Sequence, residues 1–306
     1  MRIVSLLPSA TEIAFALGLG DEVEAVTDGC DYPDAAIGKP VVSRSRLDVG
    51  TTASAADIDS AVREAVGDGE PLYALDAELI NKIQPDLILT QDLCRVCAVP
   101  TGDVEDALDV LGCHADVLSL DPHTVEDVLA DILRVGEHTA RSDEARRLVD
   151  QMRERIAVVD EAVRGLPLVR TFPLEWLEPP FSGGHWVPDL VVRAGGEPVL
   201  CAVGEHSRPL RWSEVETAAP DVVVFMPCGY DLAEGRDEAA GLGGVPELRS
   251  TPAWQNDEVY VVDATSYFSR PGPRIIDGLE LLASVLHPGA VPEPPLGRVA
   301  RVPTDG

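Results

Sequence analysis

Cys94 and Cys97 form a CxxC in the stretch QDLCRVC at 91–97. Two thiolates at that spacing can hold one soft metal ion or cycle between dithiol and disulfide. Cys30, in GCDYP, and Cys228, in PCGY, fall in stretches that read as loops. Four convergent thiolates from Cys30, Cys94, Cys97 and Cys228 suit Zn²⁺ or an iron–sulfur cluster, whereas Mg²⁺ and Ca²⁺ want oxygen. Two other readings stand beside this one. The CxxC is redox-active or touches a ligand, or the cysteines are small buried groups that only pack. Cys113 and Cys201 sit beside predicted strands and read as core.

A second set of residues suits binding rather than bond-making. Tyr32, Trp176, Phe181, Trp186 and Tyr267 fall on predicted loops. Aromatics gathered on loops fit a large, flat, apolar ligand, and Gln91, Ser182, Arg46 and Arg270 fit its polar edges; His185 is a further ligand-binding candidate and an alternative nitrogen ligand for a metal. The plain alternative is that some of these rings plug a seam between lobes. Arg44 lies on the same loop as Arg46. Glu175 and Glu178 flank Trp176 and read as hydrogen-bonding contacts or a solvated edge rather than an acid–base pair. His206, Arg208 and Arg211 make a basic patch on the second half. His114, His123, His138 and His287 lie at predicted element edges and receive no role. The Gly183-Gly184 and Gly243-Gly244 pairs make neither GxGxxG nor a P-loop, so nucleotide binding has no support. No nucleophile elbow appears, and no catalytic residue is assigned.

The elements that must carry these residues alternate. Arg2–Leu6, Glu22–Val26, Asp86–Thr90 and Ala115–Leu118 read as strands. Ser9 and Glu12 form a capping box for a helix ending at Gly18. Val104–Leu111 and Val125–Gly136 read as further helices. Leu148, Met152, Ile156 and Val159 recur at helical spacing among charges, which predicts one long helix from Ser142 to Val163. Alternation then resumes with strands at Leu168–Phe172, Val222–Met226 and Val259–Val262 and helices at Val187–Ala194, Trp212–Ala219 and Pro273–Leu286. Strands alternating with helices imply parallel βαβ units. The predicted architecture is α/β: two lobes with mostly parallel sheets joined by one long helix. Residues 1–137 form the first lobe, 138–165 the connecting helix, 166–290 the second lobe and 291–306 an irregular proline-rich tail. Residues 43–75 read as an insertion with a helix near Asp57–Val66 and a turn at Gly67-Asp68-Gly69. In open parallel sheets ligands bind beyond the carboxyl ends of the strands, and both residue sets fall on those loops.

Charge narrows the partners. The 306 residues carry 53 acidic and 24 basic side chains, a formal charge of −29, with only Lys39 and Lys82 as lysines. That excess argues against nucleic acid and anionic membranes, both of which present phosphate. It suits a salt-rich cytoplasm, where counterions screen self-repulsion. A GC-rich genome that favours Arg codons over Lys is the competing account. The start, MRIVSLLP, reads as a strand rather than a secretion signal, and no apolar run approaches the roughly 18 residues that span a bilayer. The expectation is a cytoplasmic protein.

RIVSLLPSATEIAFALG at 2–18, CDYP at 30–33, PDLILT at 85–90 and SRPGPRIIDGLELLA at 269–283 together resemble one family. It is the cobalamin- and iron-siderophore-type substrate-binding proteins of ABC importers, and the cobalamin branch fits best. The resemblance runs from residue 2 to about 287. It implies a clamshell with a rigid connecting helix that holds its ligand between lobes with little hinge motion. By matched position Tyr32 resembles the tyrosine flanking the corrin, and Trp212 lies near the position of a ligand-stacking tryptophan. Glu78 matches the first of two glutamates that dock on a permease; Ser213 occupies the second position, with Glu214 next to it. The family's usual segment before the second helix is replaced by 43–75. The resemblance thus implies a binding protein for a corrinoid such as cobalamin. The rival reading is a cytoplasmic metal- or iron–sulfur-dependent enzyme or redox protein using Cys94 and Cys97.

Overall fold

A computed structural model describes residues 1–46, 55–67, 72–92, 99–104, 108 and 114–304. The chain divides into two compact units. The first comprises Met1–Pro122 and Glu126–Asp150, the second His123–Val125 and Gln151–Gly306.

The first unit is built on a six-stranded sheet of order β4-β3-β2-β1-β5-β6. Its strands are β1 (Ile3–Ser5), β2 (Val23–Thr27), β3 (Val41–Ser45), β4 (Tyr73–Leu75), β5 (Leu87–Thr90) and β6 (Asp116–Ser119). All neighbours pair in parallel except β3 with β4. Every residue of β1 and β5 is buried, as expected where both faces of a parallel sheet are covered. One face packs Val4, Leu6, Ala25, Val42 and Ile88 with Ile80 and Val104. Helices α1 (Pro8–Ala16), α2 (Ala55–Gly67), α3 (Ala77–Ile83) and α4 (Val125–His138) accompany these strands.

Two details of this unit differ from the sequence reading. Helix α1 begins at Pro8 with Leu7 as its N-cap, which makes no side-chain cap bond. Pro8 takes the first turn because its missing N–H would go unpaired there anyway and its φ is already helical. Ser9 therefore lies inside the helix and caps nothing. The stretch 43–75 includes part of β3, all of α2 and all of β4, so it extends the sheet at one edge. Part of that stretch, and most of Val104–Leu111, lies outside the described residues.

Helix α5 (Ser142–Val163) has the bounds the periodicity predicts. Its buried row is Ala145, Val149, Met152, Ile156, Val159 and Val163, at alternating steps of four and three. The division between the units falls within it, at Asp150.

The second unit has a sheet of order β12-β11-β10-β7-β8, with β9 also paired to β7. Its strands are β7 (Val169–Trp176), β8 (Phe181–Ser182), β9 (Gly196–Pro198), β10 (Val222–Phe225), β11 (Val259–Val262) and β12 (Val299–Arg301). The pairs β7–β9, β7–β10 and β10–β11 are parallel; β8 and β12 add antiparallel edges. Phe172, Leu174, Val223, Phe225, Val259 and Val261 pack with Val215, Leu248 and Trp254. Helices α6 (Val187–Arg193), α7 (Trp212–Ala218) and α12 (Ile275–Leu286) flank it, with α8 (Leu232–Ala239), α9 (Pro246–Arg249), α10 (Pro252–Gln255) and α11 (Ala264–Tyr267) between. Arg155 on α5 ties α12 down: its guanidinium donates to both Glu280 oxygens at 2.8 and 2.7 Å and to Asp277 at 2.7 Å.

Two corrections follow here as well. Strand β7 runs past Pro173 to Trp176, although proline ordinarily ends a strand. Pro173 keeps its carbonyl in use, accepting from Gly183 N at 2.8 Å. The tail after His287 is not irregular throughout, because β12 pairs antiparallel with β11.

Candidate functional site

Among the described residues of the first unit, the strand ends carry hydroxyls, carboxylates and the thiol of Cys30. The Thr11 hydroxyl donates to Ser5 Oγ at 2.8 Å and lies 3.0 Å from Cys30 Sγ. Cys30 is buried. At the ends of β5 and β6, Asp92 N donates to Asp121 Oδ1 at 2.5 Å, and Ser119 Oγ donates to Asp121 Oδ2 at 2.6 Å. Gln91 is buried beside them, whereas Tyr32, Arg44 and Arg46 are exposed. Behind these loops, on α4, Asp131 is buried against Arg134 at 2.7 Å. Burial pushes its carboxyl up to about 6, against the pull of Arg134. Its Oδ2 has no hydrogen-bond partner among the described residues.

The second unit brings most of its sequence-predicted residues to one end of the sheet. Trp176, the last residue of β7, packs edge-on against Tyr230 beyond β10, with centroids 5.7 Å apart. Phe181 and Ser182 form β8, so Trp176, Phe181 and Ser182 lie on strands rather than on loops. Burial, then Glu238 and Glu234, raise the Tyr230 hydroxyl. Trp186 is buried and donates its indole N–H to Phe268 O at 2.9 Å, which fixes the segment holding Tyr267 and Arg270. Arg270 is buried; Tyr267 ends α11 with the Arg298 guanidinium 4.7 Å from its ring centre. Cys228 is exposed on the loop before Tyr230.

A group the sequence reading left unassembled stands beside these. His185 Nε2 and His206 Nδ1 are 2.9 Å apart, and the ring of His123 lies 5.7 and 5.3 Å from theirs. His123 Nδ1 is 3.0 Å from Gly204 O, and Val125 N donates to Asp189 Oδ2 at 3.0 Å. Burial first, then the His206 and His123 charges, lower His185 to about 4. Local geometry forces the contact. Gly184 N donates to Glu175 Oε1 at 3.0 Å, and His185 N donates to Glu205 O at 2.6 Å. A Cβ on Gly184 would stand 2.2 Å from Ser207 N, so only glycine lets the two loops lie this close. His185 itself has φ +54°, a left-handed conformation that costs an L residue roughly 1–2 kcal/mol. Sequence spacing gives no hint of this group, since its members lie on three distant segments.

The remaining assignments divide. Trp212 opens α7 and packs against the core of the second unit. Glu214 is committed to its own helix: it accepts from Arg211 N at 3.0 Å and meets Arg208 at 3.3 Å, which holds its carboxyl below the usual range. Glu78 is exposed in the first turn of α3. Cys94 and Cys97 lie outside the described residues. Among the described residues no group of three His, Cys, Asp or Glu side chains is arranged to hold a metal ion. None of the described helices is long and apolar enough to cross a membrane.

Two parallel α/β units joined through one long helix, with polar and aromatic groups at strand ends, invite comparison with solute-binding proteins. The sequence profile of the periplasmic binding protein family matches residues 3–265. The chain belongs to the periplasmic binding protein family. A vitamin B12-binding protein of Yersinia pestis is 27% identical to it over 227 residues, covering 73% of this chain and 68% of that one. A crystal structure of a periplasmic vitamin B12 binding protein of Vibrio cholerae matches this periplasmic binding protein with TM-score 0.68 at 22% identity, over 93% and 96% of the chains. A periplasmic heme binding protein from Pseudomonas aeruginosa matches with TM-score 0.73 at 19% identity, over 99% and 98%. These structural likenesses confirm the fold.

Proposed function

We propose that this periplasmic binding protein is the substrate-binding component of an ABC importer, with a corrinoid such as cobalamin as its ligand. The observation that carries the reading is the vitamin B12-binding name of relatives 27% identical over 227 residues. The chemistry of the strand ends supports it. On the second unit, Trp176, Phe181, Trp186 and Tyr267 offer apolar surface, with Ser182, His185 and Arg270 among them. On the first, Tyr32, Arg46 and Gln91 offer a ring and polar groups for amide and phosphate edges. Glu78 is the better-placed acidic contact for a permease, because Glu214 already serves Arg208 and Arg211.

Titration of the purified protein with cyanocobalamin and, separately, with haemin tests the ligand. Saturable cobalamin binding, weakened about tenfold or more in Trp176→Ala, is the expected result. Haemin binding without cobalamin binding overturns it. The acid excess supports a salt-rich setting for the protein, and a melting temperature that does not rise between low and molar KCl would remove that part of the reading.

A further inference from the structure

The imidazole group of the second unit has a geometry that depends on its protons. At 2.9 Å, His185 Nε2 and His206 Nδ1 share one hydrogen bond, so one nitrogen carries the proton and the other presents a lone pair. One added proton can go to a remote ring nitrogen and keep this bond, but once both rings are cations two N–H groups face each other at that distance, and the contact has to open. The His185 and His206 ring centres are 4.9 Å apart, and His123 completes the group. A charge gained by any one ring is therefore felt by the other two.

We propose that His123, His185 and His206 form an acid-sensitive latch that joins segment 123–125, loop 183–186 and loop 204–208 in the neutral state and releases them when the His185–His206 pair takes up a second proton. The latch sits on a backbone already under strain at His185. Several ionisable groups around it are engaged elsewhere. Glu175 from β7 accepts from Gly184 N, Asp189 from α6 accepts from Val125 N and meets Arg193, and Arg208 meets Glu214. Glu205, which accepts from His185 N through its backbone carbonyl, brings an exposed carboxylate next to His206, and Cys201 keeps its proton because burial pushes its thiol up to about 12. The neutral ring of Trp186 lies 5.8 Å from His185, and its indole is held by Phe268 O. Opening the latch therefore loosens the residues on which the ligand reading relies, yet the latch itself is testable without any ligand.

Hydrogen exchange on the whole ligand-free chain, followed by mass spectrometry at about pH 7.5 and about pH 3.5, on either side of the range where His185 gains its proton, reads the latch directly. After correction for intrinsic rates, peptides covering 123–125, 183–186 and 204–208 should exchange about tenfold faster in acid, while peptides of α5 stay unchanged. His206→Gln removes the second titrating nitrogen and should abolish most of that difference; His138→Gln, on α4, should retain it. NMR titration of the wild-type histidine rings gives an independent reading should H206Q fail to fold. The latch requires His185 to stay neutral well below its ordinary range. Exchange that does not change with pH, the same acid response in H206Q, or independent titration of the two rings would each overturn the proposal. Cobalamin binding that fails at every pH, with the exchange difference intact, would count against the ligand and leave the latch standing.

Discussion

Asp131 in the first unit and His185 in the second each lie where burial disfavours the charged form, and the two respond to acid in opposite senses. Asp131 of the first unit is raised from 3.8 to about 6 by burial. The folded chain holds a proton there that the unfolded chain gives up, so its stabilising contribution is complete below about pH 4 and lost as pH rises through 6. His185 of the second unit is lowered from 6.5 to about 4, again chiefly by burial. Here the unfolded chain binds the proton first, so stability is intact above pH 6.5 and lost as pH falls toward 4. A carboxyl and an imidazole placed in similarly dry surroundings thus offset one another between pH 4 and 6. A flat pH profile of the whole chain would conceal two steep ones.

Substitutions separate the two sides. The largest effect belongs to Gly184→Ala, which forces its new methyl against Ser207 N without altering any titratable group. A loss of about 3 kcal/mol is expected in chemical denaturation, together with the acid sensitivity of the second unit. Asp131→Asn acts on the first unit. It should raise stability by about 1–2 kcal/mol at neutral pH and by nothing near pH 4, which exposes the His185 slope alone. Thr11→Val breaks the hydroxyl contact to Ser5 and Cys30 and should lower stability by about 1 kcal/mol in chemical denaturation. Arg146→Ala, an exposed ion pair with Asp143 on α5, should change stability by less than about 0.5 kcal/mol and serves as the baseline.

The sequence discloses whatever depends on neighbours along the chain. Helix α5 is legible because its apolar row recurs every three or four residues over 22 residues. The parallel sheets are legible because buried strands such as Leu87–Thr90 are continuous apolar runs. Strand β12 is not, because three residues in a proline-rich tail gain their pairing from β11 alone. Strand β7 is cut short in the reading because Pro173 resembles an ending. Trp176 and Phe181 lie on β7 and β8 rather than on loops, because pairing of Trp176 with Phe181 extends the sheet beyond where the sequence ends it. The histidine group is invisible in the sequence: residues 123, 185 and 206 meet only because Gly184 admits a backbone approach that no spacing rule encodes. The thiol reading stays where the sequence leaves it, with Cys30 buried beside Thr11, Cys228 exposed and the CxxC outside the described residues.

Strand β12 also bears on how the protein behaves in a crowded solution. It covers the outer edge of β11, whose sequence Val-Tyr-Val-Val would otherwise present a row of unpaired amides and carbonyls. Arg301 closes that edge with a charge, its guanidinium 5.2 Å from the Tyr260 ring centre and bonded to the Tyr260 hydroxyl at 2.8 Å. The last residues of the chain are thus a guard against sheet-to-sheet association. A C-terminal truncation made before Val299 would give this strongly acidic protein an open template for aggregation.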